Sequence, residues 1–154
     1  MPEKISEKIE KQIHIAAPIS RVWRALTDPQ QFGEWFKVKF EGPFIAGEPI
    51  IGQITHPGYE HVRMEFVVGE IIPETYFSYR WHPFAVKPDI DYTQEEKTLV
   101  EFTLEESDGG TLLKVTESGF EKVPEYRRAE ALSKNTGGWA QQMKNIEAYV
   151  NQAA

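Results

Sequence analysis

The sequence predicts an α+β fold in which a curved antiparallel β-sheet wraps around a long C-terminal helix. Two observations carry this. Between Val38 and Thr116 apolar and polar residues alternate in runs, the period of strands with one covered and one wet face. Beyond them the period changes. Leu132, Thr136, Trp139, Met143, Ile146 and Val150 recur at alternating steps of four and three, one apolar stripe along a helix. A helix with one apolar stripe and a sheet with one apolar face bury each other. The 154 residues have the size of one domain, and the chain reads as a single unit, 1–154, without repeats or low-complexity tracts.

The elements follow in order. Residues 5–15 place Ile9, Ile13 and Ile15 on one side and Glu10, Gln12 and His14 on the other, a half-buried strand. Pro18 suits a helix's first turn, and Ile19, Val22, Trp23 and Leu26 form one face of that helix. Asp28-Pro29-Gln30-Gln31 starts a second short helix, with Asp28 as cap and Gln31 reaching back as in a capping box. It carries Phe32, Trp35 and Phe36. Gly42-Pro43 and Gly47-Glu48-Pro49 mark turns. Strands then run through Val62, Met64, Phe66 and Val68, through Phe77, Tyr79 and Trp81, and through Val100, Phe102 and Leu104. Asp108-Gly109-Gly110 is a hairpin signal leading to Leu113 and Val115. The least structured stretch is His82 to Lys97. It reads as a mobile flap, restrained by Pro83 and Pro88 and kept out of the core by its acidic residues.

Charge and composition narrow the function. Lys and Arg total 17 against 24 Asp and Glu, a net charge of -7, which repels nucleic acid and anionic membrane surfaces. No apolar run approaches the roughly 20 residues of a membrane span, so no membrane insertion is expected. The first residues show no apolar signal-peptide core, and cysteine is absent, both consistent with a cytoplasmic protein. The lack of cysteine also excludes disulfides, thiolate metal sites and Cys nucleophiles.

No catalytic or metal motif stands out. His14, His56, His61 and His82 do not have the spacing of helical ligand pairs, and no cofactor or metal is expected. The glycines form no phosphate-binding loop. Asp89 and Asp91 have the spacing of same-side strand carboxylates, but they read as solvated loop residues rather than an acid/base pair. The aromatic residues are the stronger lead. Phe77, Tyr79 and Trp81 stripe one strand, Phe66 and Phe102 lie on neighbours, and Trp139 and Met143 face them from the helix. These rings fill a core or line a cavity, and the polar tips of Tyr79 and Trp81 need partners or a ligand. Gly137-Gly138 inside a helix costs roughly 1 kcal/mol per glycine against alanine. Close approach of the helix to the sheet, or a kink, is the favoured explanation, ahead of an opening toward a cavity.

Four blocks carry a family resemblance: Val22-Trp23-Arg24-Ala25-Leu26-Thr27-Asp28-Pro29 with Trp35-Phe36, then Asp108-Gly109-Gly110-Thr111, then Glu117-Ser118-Gly119-Phe120, then Gly137-Gly138-Trp139. In this order they resemble the START-like (SRPBCC) superfamily. More narrowly, the chain is similar to bacterial single-domain relatives of the activator of the heat-shock chaperone ATPase. The resemblance implies a helix-grip fold with two short helices after the first strand, and often a deep apolar cavity between sheet and long helix. Relatives bind lipids, sterols or polyketides, and a few are cyclases or dehydratases. No catalytic residue carries over, because the superfamily shares no catalytic motif.

The sequence and the resemblance together point to a protein that binds a small apolar molecule, lipid-like or polyketide-like, between sheet and C-terminal helix. Trp35, Phe36, Phe66, Tyr79, Trp81, Phe102, Trp139 and Met143 are its expected ligand-binding residues. The alternatives are a pocket enzyme of the cyclase or hydrolase kind and a module whose partner is a chaperone. Convergent carboxylates or histidines in the cavity would favour the enzyme. A large exposed apolar patch outside it would favour the protein partner.

Overall fold

The alternating runs become a seven-stranded sheet, antiparallel throughout, whose strands, counted along the chain, lie in the order first, seventh, sixth, fifth, fourth, third, second. The computed structural model describes residues 8–87 and 89–152. Along the chain run β1 (Ile9–Ile15), α1 (Ile19–Thr27), α2 (Pro29–Phe36), β2 (Val38–Phe40), β3 (Pro49–Ile54), β4 (Arg63–Ile72), β5 (Tyr76–Trp81), β6 (Thr98–Ser107), β7 (Gly110–Ser118), a 3-10 turn (Phe120–Lys122) and α3 (Glu125–Gln152). Residues 5–7 of the expected first strand, and Pro88, lie outside the described residues. The first strand pairs with the last, from Ile9 opposite Glu117 to Ile15 opposite Thr111. With α3 on the covered face and two short helices between β1 and β2, this is the helix-grip fold.

The local chemistry explains the joints. Asp28 Oδ1 accepts from the amides of Gln30 at 2.9 Å and Gln31 at 3.3 Å, capping α2 as expected. The capping-box part of the expectation is corrected. The Gln31 side chain turns to Arg21 instead, accepting from its guanidinium at 2.8 Å, because that contact ties α1 to α2. Trp35 Nε1 donates to the Ala25 carbonyl at 2.8 Å and locks the same pair. At the β6–β7 hairpin Asp108 (φ 47) and Gly109 (φ 78) both adopt positive φ, as a two-residue turn of this kind requires.

The bend of the sheet has a visible source. Between Val68 opposite Tyr79 and Ile71 opposite Phe77, β4 carries one residue more than β5, a bulge that sharpens the local twist. Ser78 sits in it buried, its hydroxyl accepting from the Glu70 amide at 3.0 Å. A Cβ on Gly69 would meet that hydroxyl at 2.4 Å, so the close approach needs glycine.

Helix α3 starts at Glu125, earlier than the apolar stripe suggests. The reason is Arg127, which is buried one turn before Ala131 on the core-facing side and hides the periodicity. Beneath α3 the interior is filled with rings. Phe32 lies within 4.6 Å of Trp35, 5.1 Å of Phe36 and 5.9 Å of Phe66 between centroids. Phe66 and Tyr79 stack at 4.1 Å.

Candidate functional site

The structure separates the expected ligand-binding residues into two groups. Trp35, Phe66, Tyr79, Phe102, Trp139 and Met143 are at most 3% exposed and belong to the packed core. Only Phe36 and Trp81 line a cleft. Beneath the helix these rings pack against one another, Phe66 on Tyr79 and Phe102 on Trp139. The open space lies at one end of the sheet, where β3 and β5 finish and β4 begins.

This cleft encloses about 680 Å³. One wall is Ile54, Val62 and Met64, a second is the segment between β5 and β6 with Phe84, Val86 and Ile90, and a third is α3 with Lys134, Asn135, Gly138 and Gln142. His56, Arg63, Glu65, His82 and Asp91 add polar groups to it. A larger groove of about 810 Å³ lies beside α2 and β2, where Pro29, Val38, Phe40 and Pro43 stand among Asp28, Gln30, Glu34, Lys37 and Lys39. The aromatic and aliphatic lining makes the smaller cleft the better site for an organic ligand.

The segment 82–97 was expected to be a mobile, unpacked flap. Its base is instead fastened by Arg127. The guanidinium donates through Nε to Glu95 at 2.8 Å and through Nη1 to the Pro83 carbonyl at 2.6 Å. Its Nη2 stands 2.7 Å from the same Glu95 carboxylate, and its centre lies 4.7 Å over the Tyr92 ring. Tyr126 donates a further bond to Glu95 at 3.0 Å. The acidic character that should have kept the segment in water is what binds it to the buried arginine. Farther out, His61 Nε2 donates to the Val86 carbonyl at 2.9 Å and joins the two loops across the cleft. Phe84, on the cleft wall, has φ 49, a strained conformation for a bulky side chain.

Behind the cleft lies a buried carboxylate that the sequence reading knew only as part of a family block. Glu117 is 0% exposed. Its Oε2 accepts from Trp81 Nε1 at 2.7 Å and Thr98 Oγ1 at 2.5 Å, and its Oε1 from Asn135 Nδ2 at 3.0 Å and Trp139 Nε1 at 2.8 Å. These donors fill its roughly four lone-pair sites without any cation. Trp81 and Asn135 thus have one polar tip fixed inward while they line the cleft. Of the two possibilities for the Trp81 indole N–H, a protein partner or a ligand, the structure has the partner, Glu117. Tyr79 keeps an unpartnered, buried hydroxyl. Burial first, then the Glu117 charge, pushes its phenol well above the usual tyrosine range.

Of the histidines, His82 and His56 line the cleft. His82 Nε2 donates to the Glu95 carbonyl at 2.9 Å. Burial holds its imidazole below the ordinary histidine value, against the opposing effect of that hydrogen bond. Asp91 turns inward on its own loop, accepting from the amide and hydroxyl of Thr93 at 2.9 and 2.7 Å, while Asp89 does not line the cleft. Among the described residues no three His, Asp or Glu side chains are arranged to hold a metal ion.

Residues 16–151 match the family model described as Activator of Hsp90 ATPase homolog 1-like protein. The chain belongs to this family. Every cleft residue named above falls within the matched span. Among solved structures, protein MLL2253 from Mesorhizobium loti is 25% identical, with a TM-score of 0.74 over 96% of this chain and 98% of that one. The Aha1 dimer from Colwellia psychrerythraea is 17% identical, with a TM-score of 0.70 over 93% of this chain and 95% of that one. DynU16, a protein of the dynemicin biosynthetic locus, is 20% identical, with a TM-score of 0.72 over 95% of this chain, which spans only 48% of DynU16. The last two likenesses are of fold alone. No curated protein matches the sequence. Among the described residues no helix is long and apolar enough to cross a membrane.

The sequence reading missed Phe84, Val86 and Ile90, and it ranked an opening at Gly138 behind close approach or a kink. Their signal was present as apolar residues inside a polar segment and as a glycine where a helix wants none.

Proposed function

We propose that the protein binds a small apolar ligand, lipid-like or polyketide-like, in the cleft between α3, the start of β4 and the segment 82–93. The observation that carries this is the cleft itself. Its volume of about 680 Å³ lies within the roughly 300–1,000 Å³ of ligand sites, and Trp81, Phe36, Phe84, Met64, Val86 and Ile90 give it an apolar body. The strained Phe84 supports the reading, because such conformations persist where a site needs them. The structural neighbour from the dynemicin locus is in keeping with a small-molecule role.

Native mass spectrometry of gently purified protein tests the proposal. The expected result is an added mass that leaves on collisional activation and disappears after mild denaturation and refolding. Only the bare chain, together with failure to take up any member of a broad apolar set, would refute it. The family's name would then place a chaperone first among partners.

A second reading, catalysis in the same cleft, is favoured by His82. Its Nε2 is committed to the Glu95 carbonyl, so a neutral ring has Nδ1 left to accept a proton. Glu117 is not a rival for that role, since its acceptor sites are full. Turnover of a bound ligand that is lost in His82→Gln while binding persists is the outcome this reading requires.

A further inference from the structure

Gly137 and Gly138 stand inside the 28-residue helix α3, where each is unfavourable relative to alanine. The usual reasons for such glycines are missing. Neither residue is among the glycines with positive φ, so no special backbone conformation requires them. A Cβ built on either one meets nothing within 4 Å, so no close approach requires them. The contrast with Gly33 is sharp, where a Cβ would meet the Val38 carbonyl oxygen at 2.1 Å. Of the favoured explanations, close approach or a kink, close approach of the helix to the sheet is thereby overturned.

The two glycines differ in one respect: Gly138 lines the cleft and Gly137 does not. On the same helix wall stand Lys134, Asn135 and Gln142, so position 138 is a gap between polar side chains. The helix is held fixed at this height. Asn135 and Trp139, on either side of the gap, both bond the buried Glu117 at 3.0 and 2.8 Å. The gap therefore exists before any ligand arrives.

We infer that Gly138 is a specificity-determining position, a preformed opening through which the ligand reaches the backbone of α3. This rests on the binding reading above. Its size sets how bulky the part of the ligand facing the helix can be. A side chain at 138 projects into the cleft, whereas one at 137 projects into solvent. Gly137 is thus a control supplied by the sequence itself.

The test compares Gly138→Ala and Gly138→Leu with Gly137→Ala and Gly137→Leu. Each is measured for its thermal midpoint and for binding of the neutral fluorescent probe N-phenyl-1-naphthylamine. Both alanine variants are expected to melt about 2–4 °C higher than the wild type, the gain of removing a helix-interior glycine. Probe affinity is expected to fall about tenfold or more in Gly138→Leu and by less in Gly138→Ala. It should stay within about twofold in both Gly137 variants, because overpacking is felt only where the cleft is. Unchanged probe affinity in a folded Gly138→Leu, or an equal loss in Gly137→Leu, overturns the assignment and leaves the binding reading standing. Lower midpoints in both alanine variants also overturn it, since the glycines would then serve the fold. A wild type that binds neither this probe nor any of a broad apolar set removes the binding reading and this inference together.

Discussion

Glu117 and Tyr79 show how differently two buried polar side chains can be treated. The carboxylate is out of water with no cation, which is tolerable only because Trp81, Thr98, Asn135 and Trp139 donate to it. Replacing it by glutamine keeps the shape but turns one acceptor oxygen into an NH2 group facing donors. Glu117→Gln is expected to lose about 3 kcal/mol, from donors left unsatisfied in the core. Tyr79→Phe removes a hydroxyl that has no partner. It is expected to lose nothing and to gain up to about 1 kcal/mol. Urea unfolding of both variants checks the pair. A large loss in Tyr79→Phe would mean that the hydroxyl has a partner, such as a buried water. No loss in Glu117→Gln would mean that the carboxylate is not the linchpin between β5, β7 and α3.

At the scale of elements, the segment between β5 and β6 is the part the sequence describes least well. Its Pro, Asp and Glu content reads as solvated loop, and its outward half is that. Its base is a packed joint, because a buried arginine just ahead of the apolar stripe of α3 supplies the charge that Glu95 needs. Pairing between distant residues leaves no periodic trace in a sequence. Arg127→Met is expected to speed amide hydrogen exchange across 84–93 strongly while leaving β6 and β7 protected. Uniform loss of protection would show that Arg127 holds the whole fold and not this element. His82, at the segment's base, adds a pH dependence. The folded protein holds its imidazole below the ordinary value of 6.5, mainly through burial, with Lys97 and Arg127 acting in the same direction and Glu95 against them. The unfolded chain therefore takes up the proton first. Its contribution to stability is present above about pH 6.5 and is lost as pH falls toward the folded value. The thermal midpoint should drop over that window in the wild type, and the drop should be smaller in His82→Gln. An identical pH profile in the variant would contradict the assignment.

Across the whole molecule, what repeats was legible and what is local or distant was not. The alternation through Phe77, Tyr79 and Trp81, the Asp108-Gly109-Gly110 turn, the Asp28 cap and the stripe from Leu132 to Val150 each reflect a period or a local backbone demand, and each is in the fold. Of the cleft, Phe36 and Trp81 were legible as ligand-binding candidates and Gly138 as a possible opening. Hydrophobicity alone does not say whether a buried ring meets another ring or a void, and Phe66, Tyr79, Phe102, Trp139 and Met143, which fit either from the sequence, are packed in the core. The cleft depends on the opposite signals, an apolar patch in a polar loop and a missing side chain on a helix. On the binding reading a ligand occupies this cleft and not the ring-filled interior or the groove beside α2. Titration of the 15N-labelled protein with N-phenyl-1-naphthylamine and related apolar compounds, followed by two-dimensional NMR, tests it most directly. Saturable shifts concentrated at residues 54–64, 81–93 and 134–142 are expected, with an affinity tighter than about 100 μM, which corresponds to roughly 5.5 kcal/mol. Shifts centred on 28–43, or no saturable shift with any compound, would contradict it.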